Sequence, residues 1–199
     1  MISFSAACER NKAPLLEQLV IYFATTHSVL EIGGGTGQHA VHFASHLPHL
    51  RWQSTERLAG LASLQARLAA EGGANLPPAL ALDVRDAQWP TGLFDGAFTA
   101  NTLHIMSWGE VEHCFAGVSR TLPVGGVFAI YGPFRRHGRT HDSNENFDLE
   151  LKLRDPASGI RDIDDLEALG ARNGLALVAD VALPANNQLL VWRRVAGPV

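Results

Sequence analysis

The chain has 199 residues, of which 46% are hydrophobic and 18% are charged, a balance that suits one folded domain and excludes a disordered chain. Its 16 basic and 20 acidic residues give a formal net charge of −4, and only 8% of the residues are aromatic, which disfavours a nucleic-acid-binding surface. The two cysteines, Cys8 and Cys114, fit neither a disulfide framework nor a zinc ribbon.

Helical and strand-like patterns alternate along the chain after an N-terminal helix. That helix is predicted to begin at residues 11–14, with Pro14 in its first turn. Its predicted apolar face comprises Leu15, Leu16, Leu19, Val20 and Phe23. Strands are predicted over residues 28–32, 51–55, 80–82, 94–100, 127–131, 175–183 and 188–193, and further helices over residues 37–47, 58–71, 110–122 and 164–173.

The alternation of strands and helices predicts an α/β fold with a mostly parallel sheet and helices on both faces. The last two predicted strands are joined by only Pro184, Ala185, Asn186 and Asn187. A parallel pair needs a crossover of about a dozen residues or more, so this connection permits only an antiparallel hairpin. We therefore predict a doubly wound, Rossmann-like sheet of seven strands with an antiparallel last strand.

A glycine-rich turn follows the first strand and opens the next helix, with the sequence VLEIGGGTG at residues 29–37. In a doubly wound sheet this turn lies beside the ligand crevice, and glycines allow a ligand to approach the backbone. The dinucleotide fingerprint G-x-G-x-x-G does not fit. Counted from Gly33, its third glycine would fall at Gln38; counted from Gly34, its second would fall at Thr36. An NAD-dependent oxidoreductase is therefore disfavoured.

The spacing Glu31-x-Gly33-x-Gly35-x-Gly37 resembles the first motif of class I S-adenosylmethionine-dependent methyltransferases. The resemblance implies S-adenosyl-L-methionine as cofactor and S-adenosyl-L-homocysteine as product. In this interpretation Glu31 orients the ammonium group of the cofactor. The predicted cofactor-binding residues are Arg10, Asn11, Glu31, Gly33, Gly34, Gly35, Gly37, Glu56, Asp83, Val84 and Asn101.

Two acids that follow the second and third strands fit the same resemblance. Glu56 would accept hydrogen bonds from the ribose hydroxyls, with capping of the next helix as the alternative. Asp83 would accept from the adenine amino group, with Asp86 as a competing acid, and Val84 would pack on the ring.

Several short segments resemble a small family of methyltransferase-like proteins of about this length and of unknown function. They lie at residues 7–12, 100–105, 143–144, 147–148, 159–162 and 183–187. The resemblance implies the strand order 3-2-1-4-5-7-6 and a single methyltransferase domain over residues 1–199. Its predicted parts are an N-terminal helical cap (1–27), a cofactor-binding core (28–132), a lid-like insertion (133–161) and a C-terminal helix with a β-hairpin (162–194).

The candidates for catalysis follow the fourth strand or end the fifth. A histidine ordinarily titrates near neutral pH, and His104 is predicted to accept a proton from the acceptor, with packing beside the cofactor as the alternative. Asn101 and Tyr131 are predicted to be catalytic with it.

Predicted substrate contacts come from the insertion and from the last turn. They are Phe134, Arg135, Asn186 and Asn187. The two asparagines have a plain alternative as turn residues. The charge-segregated stretch 135–150 is either a substrate lid or a solvated loop.

The sequence thus predicts an S-adenosylmethionine-dependent methyltransferase that acts on an unidentified small-molecule acceptor by in-line transfer. The alternative is a non-catalytic cofactor-binding or protein-partner module on the same fold. His39, His42 and His46 share a helix face, but no further cysteine or acid joins them, so no metal site is predicted. The chain shows neither a signal-peptide pattern nor a membrane span, and we expect a cytoplasmic monomer or homodimer.

Overall fold

The computed structural model describes residues 3–90 and 92–196, so the predicted domain limits at residues 1 and 199 lie outside the described residues. The helices are α1 (Ala6–Tyr22), α2 (Gln38–His46), α3 (Leu58–Glu71), α4 (Trp108–Thr121), α5 (Asp142–Arg154) and α6 (Ile163–Arg172). The strands are β1 (Ser28–Ile32), β2 (Arg51–Glu56), β3 (Leu80–Ala81), β4 (Gly96–Ala100), β5 (Val127–Gly132), β6 (Phe134–Arg135), β7 (Arg161–Asp162), β8 (Leu175–Leu183) and β9 (Asn187–Arg194).

Seven of these strands form one sheet in the order β3-β2-β1-β4-β5-β9-β8. The first strand pairs in parallel with β2 and β4, whereas β9 runs antiparallel to both β5 and β8. The predicted fold class, strand order and reversed last strand are therefore confirmed. The strands β6 and β7 were not predicted from the sequence, and they pair in parallel as a separate two-stranded ladder.

The chain divides into two compact units, the N-terminal unit Met1–Phe98 and the C-terminal unit Thr99–Val199. An aromatic cluster occupies the core of the N-terminal unit. The ring centroids of Phe43, Trp52 and Phe98 lie 5.4 to 5.5 Å apart, and all three side chains are fully buried. Such contacts add to the hydrophobic burial that stabilises the unit.

The first helix begins at Ala6 rather than at the predicted residues 11–14. Ser5 is its N-cap, and the Ser5 side chain accepts a hydrogen bond from the Cys8 N–H at 3.3 Å. Pro14 therefore lies inside the helix, where it costs one backbone hydrogen bond. Leu15 and Leu19 are fully buried and hold the helix in place despite that loss.

The C-terminal unit has its own aromatic core, in which the Phe115 ring lies edge-on to Phe128 and Trp192 at 5.6 and 5.4 Å. All six residues of β5 are buried. The helix α5 lies within the predicted lid-like insertion, for which no secondary structure was predicted. No described helix combines the length and apolar character needed to cross a membrane.

Candidate functional site

The glycine-rich turn of the N-terminal unit is the first part of the candidate site. Gly33, Gly35 and Gly37 have φ values of 72°, 55° and 76°, which L side chains rarely adopt. A Cβ atom on Gly35 would meet no atom within 4 Å, so the tip of the turn is open. At Gly34 a Cβ atom would lie 2.6 Å from Ser54 Oγ, so glycine is required there by packing.

Glu31 lies beneath this turn and is only 2% exposed. Its Oε2 atom accepts hydrogen bonds from Ser54 Oγ and, at 3.1 Å, from Trp52 Nε1. Burial raises the pKa of Glu31 to about 7, although the two hydrogen bonds act in the opposite direction. The carboxyl group thus has neutral donors and no cationic partner among its described contacts.

Glu56 ends β2 beside the tip of the turn. Its Oε2 atom accepts a hydrogen bond from the Gly35 N–H at 2.8 Å, and its Oε1 atom accepts one from the Arg57 N–H at 2.9 Å. The N-cap of α3 is Arg57, so the alternative interpretation of Glu56 as that N-cap is wrong. The structure therefore brings the carboxylate and the glycine turn together.

The other two predicted adenosine contacts lie after β3. Both carboxylate oxygens of Asp83 accept from the Arg85 guanidinium, at 2.9 and 2.6 Å, and the Arg85 N–H adds a bond at 3.0 Å. These bonds hold the pKa of Asp83 well below its usual range. The competing acid Asp86 accepts from the Asp83 N–H at 3.1 Å, and Val84 is buried.

The N-terminal segment contacts the glycine turn through Gln38. Its Oε1 atom accepts from the Ser5 N–H at 2.6 Å and from Thr36 Oγ1 at 3.1 Å. Arg67 adds a second connection, since its guanidinium donates to the carbonyl oxygens of Thr36 and Ser3, each at 2.6 Å. Arg67 was not predicted from the sequence, because an arginine on a helical pattern normally indicates an exposed position.

Two predicted cofactor contacts lie on α1. Asn11 Oδ1 lies 2.6 Å from His39 Nε2, and Arg10 is exposed. His39 itself is 5% exposed and stacks on Phe43 with ring centroids 5.2 Å apart, so it belongs to the packed interior rather than to an exposed face of α2. Burial lowers the pKa of His39 to about 4.

The second group of candidate residues lies in the C-terminal unit. His104 is 7% exposed, and its ring meets the Phe147 ring edge-on at 5.2 Å. Burial lowers the pKa of His104 to about 4, and the positive charge of Arg161 acts in the same direction. Among the described residues none forms a hydrogen bond with its ring nitrogens. The side chain is therefore a neutral imidazole at neutral pH.

The other two predicted catalytic residues, Asn101 and Tyr131, are joined by a backbone hydrogen bond. Asn101 has a φ of 56°, an uncommon value that asparagine tolerates, and its N–H donates to the Tyr131 carbonyl at 2.9 Å. Tyr131 and Phe134 are 3% and 4% exposed.

The remaining predicted substrate residues make contacts within the C-terminal unit. Arg135 donates to both Glu145 oxygens and, at 2.9 Å, to Asp148. Asn186 Nδ2 donates to Ser143 Oγ at 3.1 Å. The Asn187 amide donates to carbonyl oxygens of its own turn, at 3.3 and 3.4 Å.

Solved structures of methyltransferases have the same fold as this chain. The methyltransferase SibL in its apo form superposes with a TM-score of 0.81 at 23% identity, over 96% of this chain and 56% of that chain. Human N-acetylserotonin methyltransferase in complex with SAM gives 0.82 at 14% identity, over 96% and 53%. An O-methyltransferase family protein from Burkholderia thailandensis gives 0.82 at 18% identity, over 96% and 58%.

The fold and the glycine turn define a protein of the methyltransferase fold class, and the chain spans just over half the length of these three proteins. Residues 2–194 match the model of the family described as "Protein of unknown function (DUF938)", and the chain belongs to that family. Among the described residues, no group of three or more histidines, cysteines or acids is placed to hold a metal ion.

Proposed function

We propose that this protein is an S-adenosylmethionine-dependent methyltransferase that acts on a small-molecule acceptor. The observation that carries the proposal is the contact between Glu56 and the tip of the glycine turn. A carboxylate that ends β2 lies 2.8 Å from the N–H of Gly35, at a position where a Cβ atom would meet nothing within 4 Å. An open turn beside an ionisable acceptor suits a ligand that carries vicinal hydroxyls.

The residues of the N-terminal unit fit the proposed cofactor. Glu31 is a buried acceptor that would gain a cationic partner in the cofactor's ammonium group. Glu56 would accept from the ribose hydroxyls, and Asp83 and Val84 would serve the adenine ring. The turn Gly33–Gly37 and the α1 residues Arg10 and Asn11 would line the rest. When bound, S-adenosylmethionine supplies a methyl group on a positively charged sulfur.

In the C-terminal unit, we propose that His104 accepts a proton from the acceptor. Its buried imidazole is neutral at neutral pH and makes no hydrogen bond with the described residues. A neutral ring with no such bond can accept a proton during reaction, although a pKa of about 4 makes it a weaker base than an ordinary histidine. Asn101 and Tyr131, which flank one backbone hydrogen bond, would order the backbone beside it. Phe134 and Asn186 are the proposed substrate contacts.

The alternative of a non-catalytic binding module is favoured by Arg135 and Asn187. Their polar groups are engaged by Glu145, Asp148 and the last turn, rather than held ready for an acceptor. In that alternative the protein would bind S-adenosylmethionine or S-adenosylhomocysteine without turnover.

The test is calorimetric titration with S-adenosylmethionine, S-adenosylhomocysteine and NAD. We expect micromolar binding of either sulfur ligand and none of NAD. Glu56→Gln should weaken binding about tenfold or more, because a neutral amide replaces the ionised acceptor. Glu17→Gln, which removes an exposed charge from α1, is the matched control. Absence of binding by the unmodified protein would refute the proposal, and equal binding by Glu56→Gln would refute the role of Glu56.

A further inference from the structure

Asp148 is a charged residue in the interior of the C-terminal unit. It lies on α5 and is 3% exposed, although helix neighbours such as Leu149 and Leu153 are 60% and 86% exposed. A buried carboxylate is costly unless it is paired and hydrogen-bonded. Burial acts to raise the pKa of Asp148, yet the pKa lies below its usual range, because Lys152, the Ile160 N–H and Arg135 together stabilise the charged form.

The three donors to this carboxylate come from three segments of the chain. Arg135 Nη2 of β6 lies 2.9 Å from Oδ2, and Lys152 Nζ of α5 lies 2.7 Å from the same oxygen. The Ile160 N–H donates to Oδ1 at 2.7 Å. Gly159 has a φ of 150°, and a Cβ atom there would lie 2.9 Å from Oδ1. The segment 159–161 thus packs directly on the carboxylate of Asp148.

The same segment holds the backbone around His104. The Gly159 N–H donates to the His104 carbonyl at 2.8 Å. Arg161 donates from Nε to the Leu103 carbonyl at 3.1 Å and from Nη2 to the Met106 carbonyl. The next residue, Ile160, donates its N–H to Asp148. Two adjacent peptide groups therefore connect the carboxylate of Asp148 with the backbone of His104.

The His104 ring contacts the neighbour of Asp148 in sequence. Phe147 meets the imidazole edge-on at 5.2 Å. The pair Phe147–Asp148 and the segment 159–162 are also among the motifs by which the sequence resembles a small methyltransferase-like family, which assigned them no role.

We propose that Asp148 is a positioning residue, which fixes Phe147 and the segment 159–161 so that both the backbone and the imidazole of His104 are held in one orientation. The inference rests on the proposed role of His104 as proton acceptor. A displacement of about 1 Å at such a group is enough to cost a large factor in rate. A purely structural ion-pair cluster would stabilise the fold without controlling His104.

The test is the NMR titration of the His104 imidazole, assigned by comparison with His104→Gln, between pH 5 and 8. In the unmodified protein His104 should remain neutral over this range, since its pKa lies at about 4. In Asp148→Asn we expect the shift contributed by the Phe147 ring to decrease and the midpoint to rise into the range, because loss of burial raises the His104 pKa more than the lost negative charge of Asp148 lowers it. Glu145→Gln, which removes the other carboxylate bound to Arg135, is the matched control and should leave His104 unchanged.

A second variant keeps the inference testable if Asp148→Asn does not fold. Arg161→Lys keeps the positive charge near His104 but loses the paired bonds to the Leu103 and Met106 carbonyls, so it should produce the same rise. A folded Asp148→Asn with an unchanged His104 titration would overturn the inference. So would an unchanged titration in Arg161→Lys, or an equal rise in Glu145→Gln.

Cofactor binding separates this inference from the proposed function. Asp148→Asn should bind S-adenosylhomocysteine within about twofold of the unmodified protein, because Asp148 lies outside the glycine turn. Failure of the unmodified protein to bind would count against the proposed function alone, since the His104 titration needs no ligand. With any acceptor that is turned over, Asp148→Asn should lower kcat about tenfold or more with little change in KM for the cofactor.

Discussion

Each of the two units contains a buried carboxylate. Its hydrogen-bond donors are neutral in the N-terminal unit and include two cations in the C-terminal unit. Glu31 is 2% exposed and receives bonds from a hydroxyl and an indole, whereas Asp148 is 3% exposed and receives bonds from Arg135 and Lys152 as well as a backbone N–H. Burial raises the pKa of Glu31 to about 7, but cationic donors keep the pKa of Asp148 below its usual value.

The difference indicates what each group can do. A buried acid with only neutral donors has no positive charge beside it, so a cationic group of a ligand can still stabilise its charged form. A buried acid that is already paired with cations has no such capacity left, and it acts by fixing the segments that supply the donors. The N-terminal carboxyl therefore suits binding, and the C-terminal one suits positioning.

The largest expected effect is on Asp148. Asp148→Asn should lower the free energy of unfolding by about 3 kcal/mol, because it leaves the Arg135 and Lys152 charges without their shared partner. Glu145→Gln breaks a more exposed pair with the same arginine and should cost much less, because solvent screens that pair. Urea denaturation monitored by circular dichroism would measure both. Equal losses in the two variants would contradict the distinction between a buried and an exposed pair.

The next effect is a pH dependence that arises from Glu31. Its folded pKa of about 7 lies above the ordinary value of 4.5, so the folded state binds the proton more tightly than the unfolded chain does. The stabilising contribution is complete below about pH 4.5 and is lost as pH rises through 7. Glu31→Gln should remove a pH dependence on the order of 3 kcal/mol between pH 5 and 8.

His104 contributes a pH dependence of stability of the opposite sign, and the measurement must separate it from that of Glu31. Its folded pKa of about 4 lies below the ordinary 6.5, so its contribution is present above pH 6.5 and is lost on acidification. The difference between the unmodified protein and Glu31→Gln isolates the carboxyl group, because His104 is unchanged in both. If the two stability profiles run parallel from pH 5 to 8, the pKa of Glu31 is not raised.

The regions that hold these carboxylates differed in how far the sequence could predict them. The glycine turn and the reversed last strand follow from local signals, namely Gly33–Gly37 after an apolar strand and a connection too short for a parallel crossover, whereas the strand order was implied by the family resemblance. The donors to Glu31 could not be predicted, since Ser54 and Trp52 belong to the neighbouring strand and only the register of β1 with β2 brings them close.

The helix α5 escaped prediction because most of its buried positions are polar. Asn144 and Asp148 are buried together with Leu151, whereas Leu149 and Leu153 are exposed, so the buried positions do not form an apolar periodicity of about 3.6 residues. Its remaining signal is charge placement, with acids in the first turn and Lys152 and Arg154 in the last. The predicted start of α1 at residues 11–14 was wrong because proline usually occupies the first turn of a helix, whereas Pro14 lies in the interior of this one.

A smaller effect is expected from the loss of one neutral donor to Glu31. Ser54→Ala removes a hydrogen bond to the charged form, so the pKa of Glu31 should rise further and stability should fall by about 1 to 2 kcal/mol at pH 8. At pH 5 the loss should be smaller, because the carboxyl group is then protonated in the folded state. Thermal unfolding at the two pH values would measure the difference. A loss that is equal at both would mean that Ser54 serves packing beneath Gly34 rather than the charge.

The smallest effect is expected from the corresponding change at Asp148. Lys152→Met removes one cationic donor whose side chain is 52% exposed, and solvent screens such a group, so the loss should stay below about 1 kcal/mol. Arg135 and the Ile160 N–H still hold the carboxylate after this change, so the His104 titration should not move. Denaturation and the imidazole NMR signals would be compared in the same variant. A large loss of stability would mean that Lys152, rather than Arg135 and the Ile160 N–H, provides most of the stabilisation of the Asp148 carboxylate. The contrast between the two buried acids would then depend on a single surface cation.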